Sequence, residues 1–407
     1  MVNSIAIIGA GASGLISAKN MKENNFQIDV FEKNSVVGGV WAYSKDSVIY
    51  NNLITNLPKT LMQFSDKYPF LGKDDKCFVS HTEVLYYLEE FCRKYHIYED
   101  IKFNSQVNNI DRKDNQWQVT YIYKNQISVK KYDAVIVCNG HYQIPSLPKI
   151  ENLHKFKGKI IHSSEYDIHL HNEIKGKTVV IIGMGPSASD VARLIKPISK
   201  KLYVINRRLN SNPIINDNVH QVGAIKTIVS DYKILLENNE IIHANYLICA
   251  TGYEYNIPFL SNEYISYNNG IVKPLYQHIF HVYQPTLCFV GLPHPVMPFF
   301  MSYLQSKWIA TVFKKNSLPI ESERINWYTS YNKYMKDNNI ISKNYHYMKE
   351  SQFIYYRLLA KYSNLLTTQF NKYIDESEKI FLENWNKMPK NPGDQDEFRK
   401  VNYVRKY

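Results

Sequence analysis

Ser4-Ile5-Ala6-Ile7-Ile8-Gly9-Ala10-Gly11-Ala12-Ser13-Gly14 decides how the chain begins. An apolar run breaks directly into three spaced glycines. Ser4 to Ile8 reads as a buried strand. Ala12 to about Asn24 reads as a helix, with Leu15, Ala18 and Met21 spaced along one inward face. Gln27 to Phe31 reads as the next strand and ends at Glu32. The glycines have separate tasks: Gly9 makes the tight turn, Gly11 lets a pyrophosphate approach the backbone, and Gly14 permits close helix–strand packing. Phosphate then meets free N–H groups at a helix N-terminus. Glu32, about 20 residues on, can accept the adenosine ribose hydroxyls.

The plan recurs later. Thr178 to Ile182 reads as a strand, Gly183-Met184-Gly185-Pro186-Ser187-Ala188 as the turn, Ser187 to Leu194 as a helix and Leu202 to Ile205 as a second strand. Ala188 replaces the last glycine, and Pro186 suits the start of a helix. Asn206-Arg207-Arg208 ends the second unit where Glu32 ends the first. Arginine offers bidentate, charge-assisted bonds to a 2′-phosphate, which an acid would repel; a solvated surface pair is the plain alternative. Two such units imply two facing dinucleotides, one tightly bound and redox-active and one a diffusible hydride donor. The first site is read as FAD and the second as NADPH.

The predicted fold class is α/β, with two Rossmann-type domains and a helical C-terminal extension. The FAD domain is expected over 1–160 plus 255–407, helical from about 325. The NADP domain is expected over 165–254. Asp133 to Val137, ending in Cys138-Asn139-Gly140-His141, and Tyr246 to Ala250, ending in Thr251-Gly252-Tyr253, predict the strands from which the chain crosses between domains. Pro145 and Pro148 favour an extended crossing. From about Trp327 the chain is helical and rich in Tyr and Lys, without a motif.

The 407 residues carry a formal net charge of +12, and the positive field suits a polyanionic cofactor. The five cysteines, Cys77, Cys92, Cys138, Cys249 and Cys288, include no C-x-x-C pair, which argues against a disulfide framework or zinc site. No apolar run approaches the ~18 residues of a membrane span, and no leader pattern opens the chain, so a cytoplasmic protein is expected. No RNP motif, zinc spacing or aromatic-interleaved basic helix points to nucleic acid.

Phe156-x-Gly158-x-x-x-His162-x-x-x-Tyr166 resembles the identifying sequence FxGxxxHxxx(Y/F) of flavin-containing monooxygenases. Gly38-Gly39-x-Trp41, Thr55-Asn56-Leu57-Pro58-Lys59, Cys138-x-Gly140-His141, Ala250-Thr251-Gly252-Tyr253 and Leu304-Gln305-x-x-Trp308 resemble further segments of that family, in its order. The resemblance runs to about residue 310 and is strongest to the compact forms of insects and fungi. Three departures stand out: Asn139 where Thr or Ser is usual, Pro186 where Asn is usual, and no C-terminal membrane anchor.

The resemblance implies an N,N-dialkylaniline monooxygenase-like enzyme using FAD, NADPH and O2. It implies a C4a-hydroperoxyflavin that transfers oxygen to nitrogen or sulfur of small lipophilic amines or sulfur compounds, as in xenobiotic or alkaloid N-oxidation. Asn56 is the implied catalytic residue beside the flavin. Gly9, Ala10, Gly11, Ala12, Ser13, Gly14, Glu32, Gly39, Val40, Trp41, Thr55, Asn56, Leu57 and Val107 are assigned to FAD. Gly183, Gly185, Pro186, Ser187, Ala188, Arg207 and Arg208 are assigned to NADPH, and Gln305 to flavin or nicotinamide ribose. His162 is read as fixing the hinge or contacting the NADP side, Phe156 as packing, and Tyr166 as structural or placed beside the cofactor. Tyr68-Pro69-Phe70 and Pro298-Phe299-Phe300 are read as core by default, with lining of the substrate channel as the alternative, and Tyr355-Tyr356 as helix packing. The alternatives are a Baeyer–Villiger or N-hydroxylating monooxygenase, or a flavin-binding redox sensor or NADPH oxidase. Homo-oligomerisation is left open.

Overall fold

A computed structural model describes residues 2–44, 47–70, 76–209, 214–216, 218–267, 270–389, 394–401 and 403. The strand Ser4–Ile8 lies inside a seven-stranded sheet, between parallel partners Gln27–Phe31 and Ala134–Val137. Ile101–Lys102 closes one side; Leu287–Phe289, Phe280–His281 and Leu275–Tyr276 extend the other. The parallel centre is buried on both faces, which is why its sequence reads as continuous apolar runs rather than alternation.

The helix Ala12–Lys22 follows at once and packs on Pro298–Lys315. Leu15, Ala18 and Met21 have no exposed surface. Burial stabilises by about 1.5–3 kcal/mol for each large side chain. Polar seams fix the register of the two helices: Asn20 Nδ2 donates to Ser306 Oγ at 2.6 Å, and Ser13 Oγ meets Ser302 Oγ at 2.9 Å. The helical region therefore begins at Pro298, earlier than the expected residue 325. Glu321–Asp337, Gln352–Tyr362 and Thr368–Lys387 follow.

The second sheet has the order Ile214–Asn216, Val219–Val222, Lys201–Ile205, Thr178–Ile182, Tyr246–Cys249, Lys159–His162. Its helix, Pro186–Ile195, buries Ala188, Val191 and Ala192. One boundary moves. Lys159–His162, expected to straddle the end of the first unit, pairs parallel with Tyr246–Cys249 and so belongs to the second sheet. The crossover lies earlier, at Ile144–Pro145, which pairs antiparallel with the return segment Tyr253–Glu254. Asn139, at the family's Thr or Ser position, ties the two crossings together: its Nδ2 donates to the Asn256 carbonyl at 2.7 Å.

A three-stranded meander, Ser105–Lys113, Gln116–Tyr123 and Gln126–Tyr132, has no counterpart in the sequence reading. Its two-residue turns place Asp114-Asn115 and Lys124-Asn125 at positive φ. Hairpin turns of this kind need φ > 0 at both positions and usually advertise it with Gly. Here Asn serves instead, and the signal is lost in an Asn-rich chain.

Candidate functional site

The first turn is built by backbone alone. Gly9 has φ of 108°, and a Cβ there would lie 2.6 Å from the Cys138 carbonyl oxygen. A Cβ on Gly14 would come within 1.8 Å of the Gly9 carbonyl oxygen. A Cβ on Gly39 would meet Gly11 Cα at 3.0 Å, so the two glycine segments lie back to back. The Gly38 N–H donates to the Ala10 carbonyl at 3.0 Å, and Gly39, Val40 and Trp41 form one turn of 3₁₀ helix. Glu32 is buried; its Oε2 accepts from the Ala10 N–H at 2.8 Å and Oε1 from the Asn34 N–H at 2.9 Å. Each carboxylate oxygen keeps a second lone pair for a ribose hydroxyl. Ala12 opens the helix, whose first-turn N–H groups lack intrahelical acceptors. These residues fit the adenosine diphosphate part of a flavin dinucleotide: a turn with no room for a Cβ at Gly9 or Gly14, a helix N-terminus and an acid at the strand end.

Beside this turn, Thr55 is buried and pairs with Val79 in both directions, its N–H donating at 2.9 Å and its Oγ1 accepting at 3.1 Å. Asn56 follows, half-buried. Its carbonyl accepts from Asn384 Nδ2 at 3.2 Å, while its own side-chain amide makes no hydrogen bond among the described residues. Leu57 packs on the main core. Trp41 meets Phe299 edge-on at 6.4 Å, and Phe299 stacks on Phe64 at 5.2 Å. Val107 lies in the strand reached through Ser105, whose N–H donates to the Glu32 carbonyl at 2.8 Å.

Gln305 lies inside the protein. It is fully buried, its Oε1 accepts from the Gly291 N–H at 2.9 Å, and its Nε2 donates to the Tyr355 hydroxyl at 3.1 Å. Both ends of the amide are used within the protein. Gln305 thereby braces the Gly291 loop against the helices, and each end of its amide keeps one further hydrogen-bonding position among the described residues.

The second turn is more open. Gly183 has φ of 130°, and a Cβ there would lie 2.4 Å from the Ala250 carbonyl oxygen. Gly185 caps the helix in extended backbone, and a Cβ there would meet nothing within 4 Å. Pro186 takes the first helical position, where its missing N–H costs nothing. Ser187 is exposed and Ala188 fully buried. Arg207 and Arg208 are exposed in the turn after Lys201–Ile205, and neither forms an ion pair among the described residues. This arrangement fits a dinucleotide carrying an extra phosphate.

His162 is 1 % exposed and sits between the units. Its Nε2 meets the Gly252 carbonyl at 3.1 Å and its Nδ1 the Ser164 N–H at 3.1 Å. Burial lowers its pKa. A neutral ring with both nitrogens engaged is a hinge pin. Gly158 is required because a Cβ would strike the Asn245 carbonyl oxygen at 2.5 Å. Tyr166 is buried against Tyr50 and bonds His171 Nε2 at 2.6 Å. Phe156, Tyr68, Phe70, Phe299, Phe300, Tyr355 and Tyr356 are all buried. The five cysteines are buried and free, and burial pushes the Cys138 and Cys249 thiols up to about 12 and about 11. Such thiols pack and do not react.

Sequence reading missed the polar contacts between the units. The Tyr43 hydroxyl donates to Asp167 Oδ2 at 2.9 Å, and Tyr50 donates to Asp190 Oδ2. Nothing local in sequence marks a pair so far apart.

The flavin-binding monooxygenase-like family matches residues 2–211 and 195–371. The chain belongs to that family. It is 34 % identical to the flavin-containing monooxygenase FMO GS-OX5 of Arabidopsis thaliana over 368 residues, 81 % of this chain and 78 % of the relative. It is 33 % identical to FMO GS-OX-like 7 of the same plant over 393 residues, 88 % of this chain and 84 % of the relative. Among solved structures, the S-allyl-L-cysteine S-oxygenase of Allium sativum superposes with a TM-score of 0.88 at 30 % identity, covering 98 % of this chain and 95 % of that one. Tmm of a Pelagibacter strain shares the fold with a TM-score of 0.83 at 22 % identity, over 98 % and 94 % of the two chains. The chain is thus an oxidoreductase, a flavin-dependent monooxygenase that takes FAD and NADPH. Among the described residues no helix is long and apolar enough to cross a membrane.

Proposed function

We propose that the first glycine turn, Glu32, Gly39 to Trp41, Thr55 to Leu57 and Val107 seat FAD, while Gly183 to Ala188 with Arg207 and Arg208 seat NADPH. On this reading the chain oxygenates sulfur or nitrogen in small lipophilic nucleophiles. Bound FAD supplies the redox chemistry between NADPH and O2. The protein's share is to bind, orient and keep water out. The observation that carries this reading is the Asn56 amide, half-buried and without a partner among the described residues, on a backbone pinned from both sides by Thr55 and Asn384. A held but unpartnered amide is ready to donate from Nδ2 or accept at Oδ1 to a bound group.

Sulfur is favoured over nitrogen, because an S-oxygenase of Allium sativum resembles the chain over nearly its whole length at 30 % identity. A cytoplasmic setting suits NADPH supply. The test uses purified, FAD-loaded protein with NADPH, O2 and either a thioether or a tertiary amine. Sulfoxide or N-oxide should form in step with NADPH oxidation, the thioether faster. Ester from a ketone with neither oxide, or peroxide as the sole product, overturns the reading.

A further inference from the structure

The helix Pro186–Ile195 carries a buried carboxylate one turn beyond the second glycine turn. Asp190 is 5 % exposed. Its Oδ1 accepts from Arg193 Nε at 2.9 Å and from Arg399 Nη1 at 2.8 Å, and its Oδ2 accepts from the Tyr50 hydroxyl. Arg399 comes from the far end of the chain. Its Nη2 donates to the Ile54 carbonyl at 2.9 Å. A single guanidinium thus joins the second helix to backbone two residues from Asn56.

The energetics make this a fastening rather than a surface decoration. The Arg399 and Asp190 side chains are 9 % and 7 % exposed, so removing Asp190 takes from two guanidiniums the buried carboxylate they share, and removing Arg399 leaves Asp190 to Arg193 and Tyr50. Among the described residues Arg193 Nη2 and Arg399 Nε find no acceptor, and Asp190 is the buried carboxylate that both guanidiniums share. The outlying pairs, Lys196–Asp394 at 3.0 Å and Arg193–Asp396 at 3.4 Å, are partly solvated and contribute little.

Resting on the reading that the second turn seats NADPH and Asn56 faces the flavin, we propose that Arg399 is a positioning residue: the C-terminal segment latches the NADPH-bearing helix to the Asn56 loop. Hydride transfer needs the donor placed within a fraction of an ångström, and small misplacements cost heavily in rate. The latch acts on that placement through Asp190 and Ile54 without touching either cofactor.

The test uses the full-length, FAD-loaded protein and the variants Arg399→Ala, Arg399→Lys and Asp190→Asn. Four quantities are measured: flavin per chain, the Kd of NADP⁺ from its perturbation of the flavin spectrum, KM for NADPH against kcat, and hydrogen exchange in 50–57 and 186–195. Arg399→Ala should keep its flavin, weaken NADP⁺ binding and raise KM about tenfold, and speed exchange in both segments together. A larger share of NADPH should be oxidised without product. Arg399→Lys, which keeps the charge but not the fork, should fall between. If Arg399→Ala does not accumulate, Arg399→Lys and Asp190→Asn carry the same readouts. Unchanged NADP⁺ affinity, with faster exchange confined to 394–401, overturns the latch. If the unmodified protein shows no NADP⁺ perturbation, the NADPH assignment fails instead, and joint loosening of 50–57 and 186–195 still decides whether the latch exists.

Discussion

A methyl added at Gly11 would touch Gly39 Cα at 3.5 Å, whereas a methyl added at the equivalent Gly185 would meet nothing within 4 Å. At the third position the first turn admits no side chain, since a Cβ on Gly14 overlaps the Gly9 carbonyl; the second turn holds Ala188 fully buried without strain. One acid is buried and tied back to its loop; two arginines stand in solvent. The same backbone plan is walled in at one site and open at the other. That difference matches a resident cofactor at the first and an exchanging one at the second.

The comparison breaks most sharply at Gly14. Gly14→Ala forces the strand and helix apart and should yield protein without flavin, read by the absorbance ratio after purification; a normally loaded variant would show that the first turn is not closed. Acid is next. His141, His278, His294 and His346 cluster where the crossings meet the first unit, with ring centroids 6.1 Å apart for His141–His294 and 5.1 Å for His278–His346. Burial holds His141 and His278 down to about 4, and lowers His294 and His346 as well. Because the folded state binds protons less readily than the unfolded chain, their stabilisation is complete above about pH 6.5 and is lost as pH falls through about 4. Tm should drop steeply across that window, and His278→Phe should make the drop shallower. An unchanged slope would mean that these rings do not control it.

Three smaller effects sharpen the contrast. Asn56→Ala should retain flavin and lose about 10²-fold in coupled turnover, by analogy with removing one preorganised donor; wild-type turnover would leave Asn56 a loop residue. Arg207→Ala with Arg208→Ala should raise KM for NADPH about tenfold or more while leaving NADH use and Tm unchanged, since hydrogen bonds to charged groups contribute about 1.5–3 kcal/mol. Equal losses for both coenzymes would remove the 2′-phosphate from the argument. Gly185→Ala should fold with flavin in place, its unfolding free energy within about 0.5 kcal/mol of wild type, and bind NADPH a few-fold more weakly. Loss of flavin there would erase the distinction between the turns.

Much of this architecture was legible because it is local. Both strand–turn–helix units announce themselves through apolar runs, glycines and the residue closing the next strand. The helix limits differ by a residue or two, as helix ends do. The meander was hidden because Asn took the positive-φ positions that Gly would have flagged. The edge strand of the second sheet was misjudged because Lys159–His162 is exposed in its first half and buried only at Ile161 and His162, too short a buried stretch to read as core. The bracing bonds of Gln305 were not legible because a polar residue on a helix gives no hint that its amide reaches Gly291 and Tyr355. The Tyr50–Asp190–Arg399 network was invisible because its members are brought together only by the folded chain.

The paired crossings carry a consequence for lineage and for engineering. Ile144–Pro145 leaves the first sheet's unit and Tyr253–Glu254 returns beside it, hydrogen-bonded in register. Everything between departs and comes home through one doorway. Such a stretch is a cassette: ends that lie side by side are what make insertion and exchange tolerable. The same host could accept another nucleotide-binding insert at that doorway with its own sheet undisturbed, provided the guest brings a carboxylate to meet Arg399.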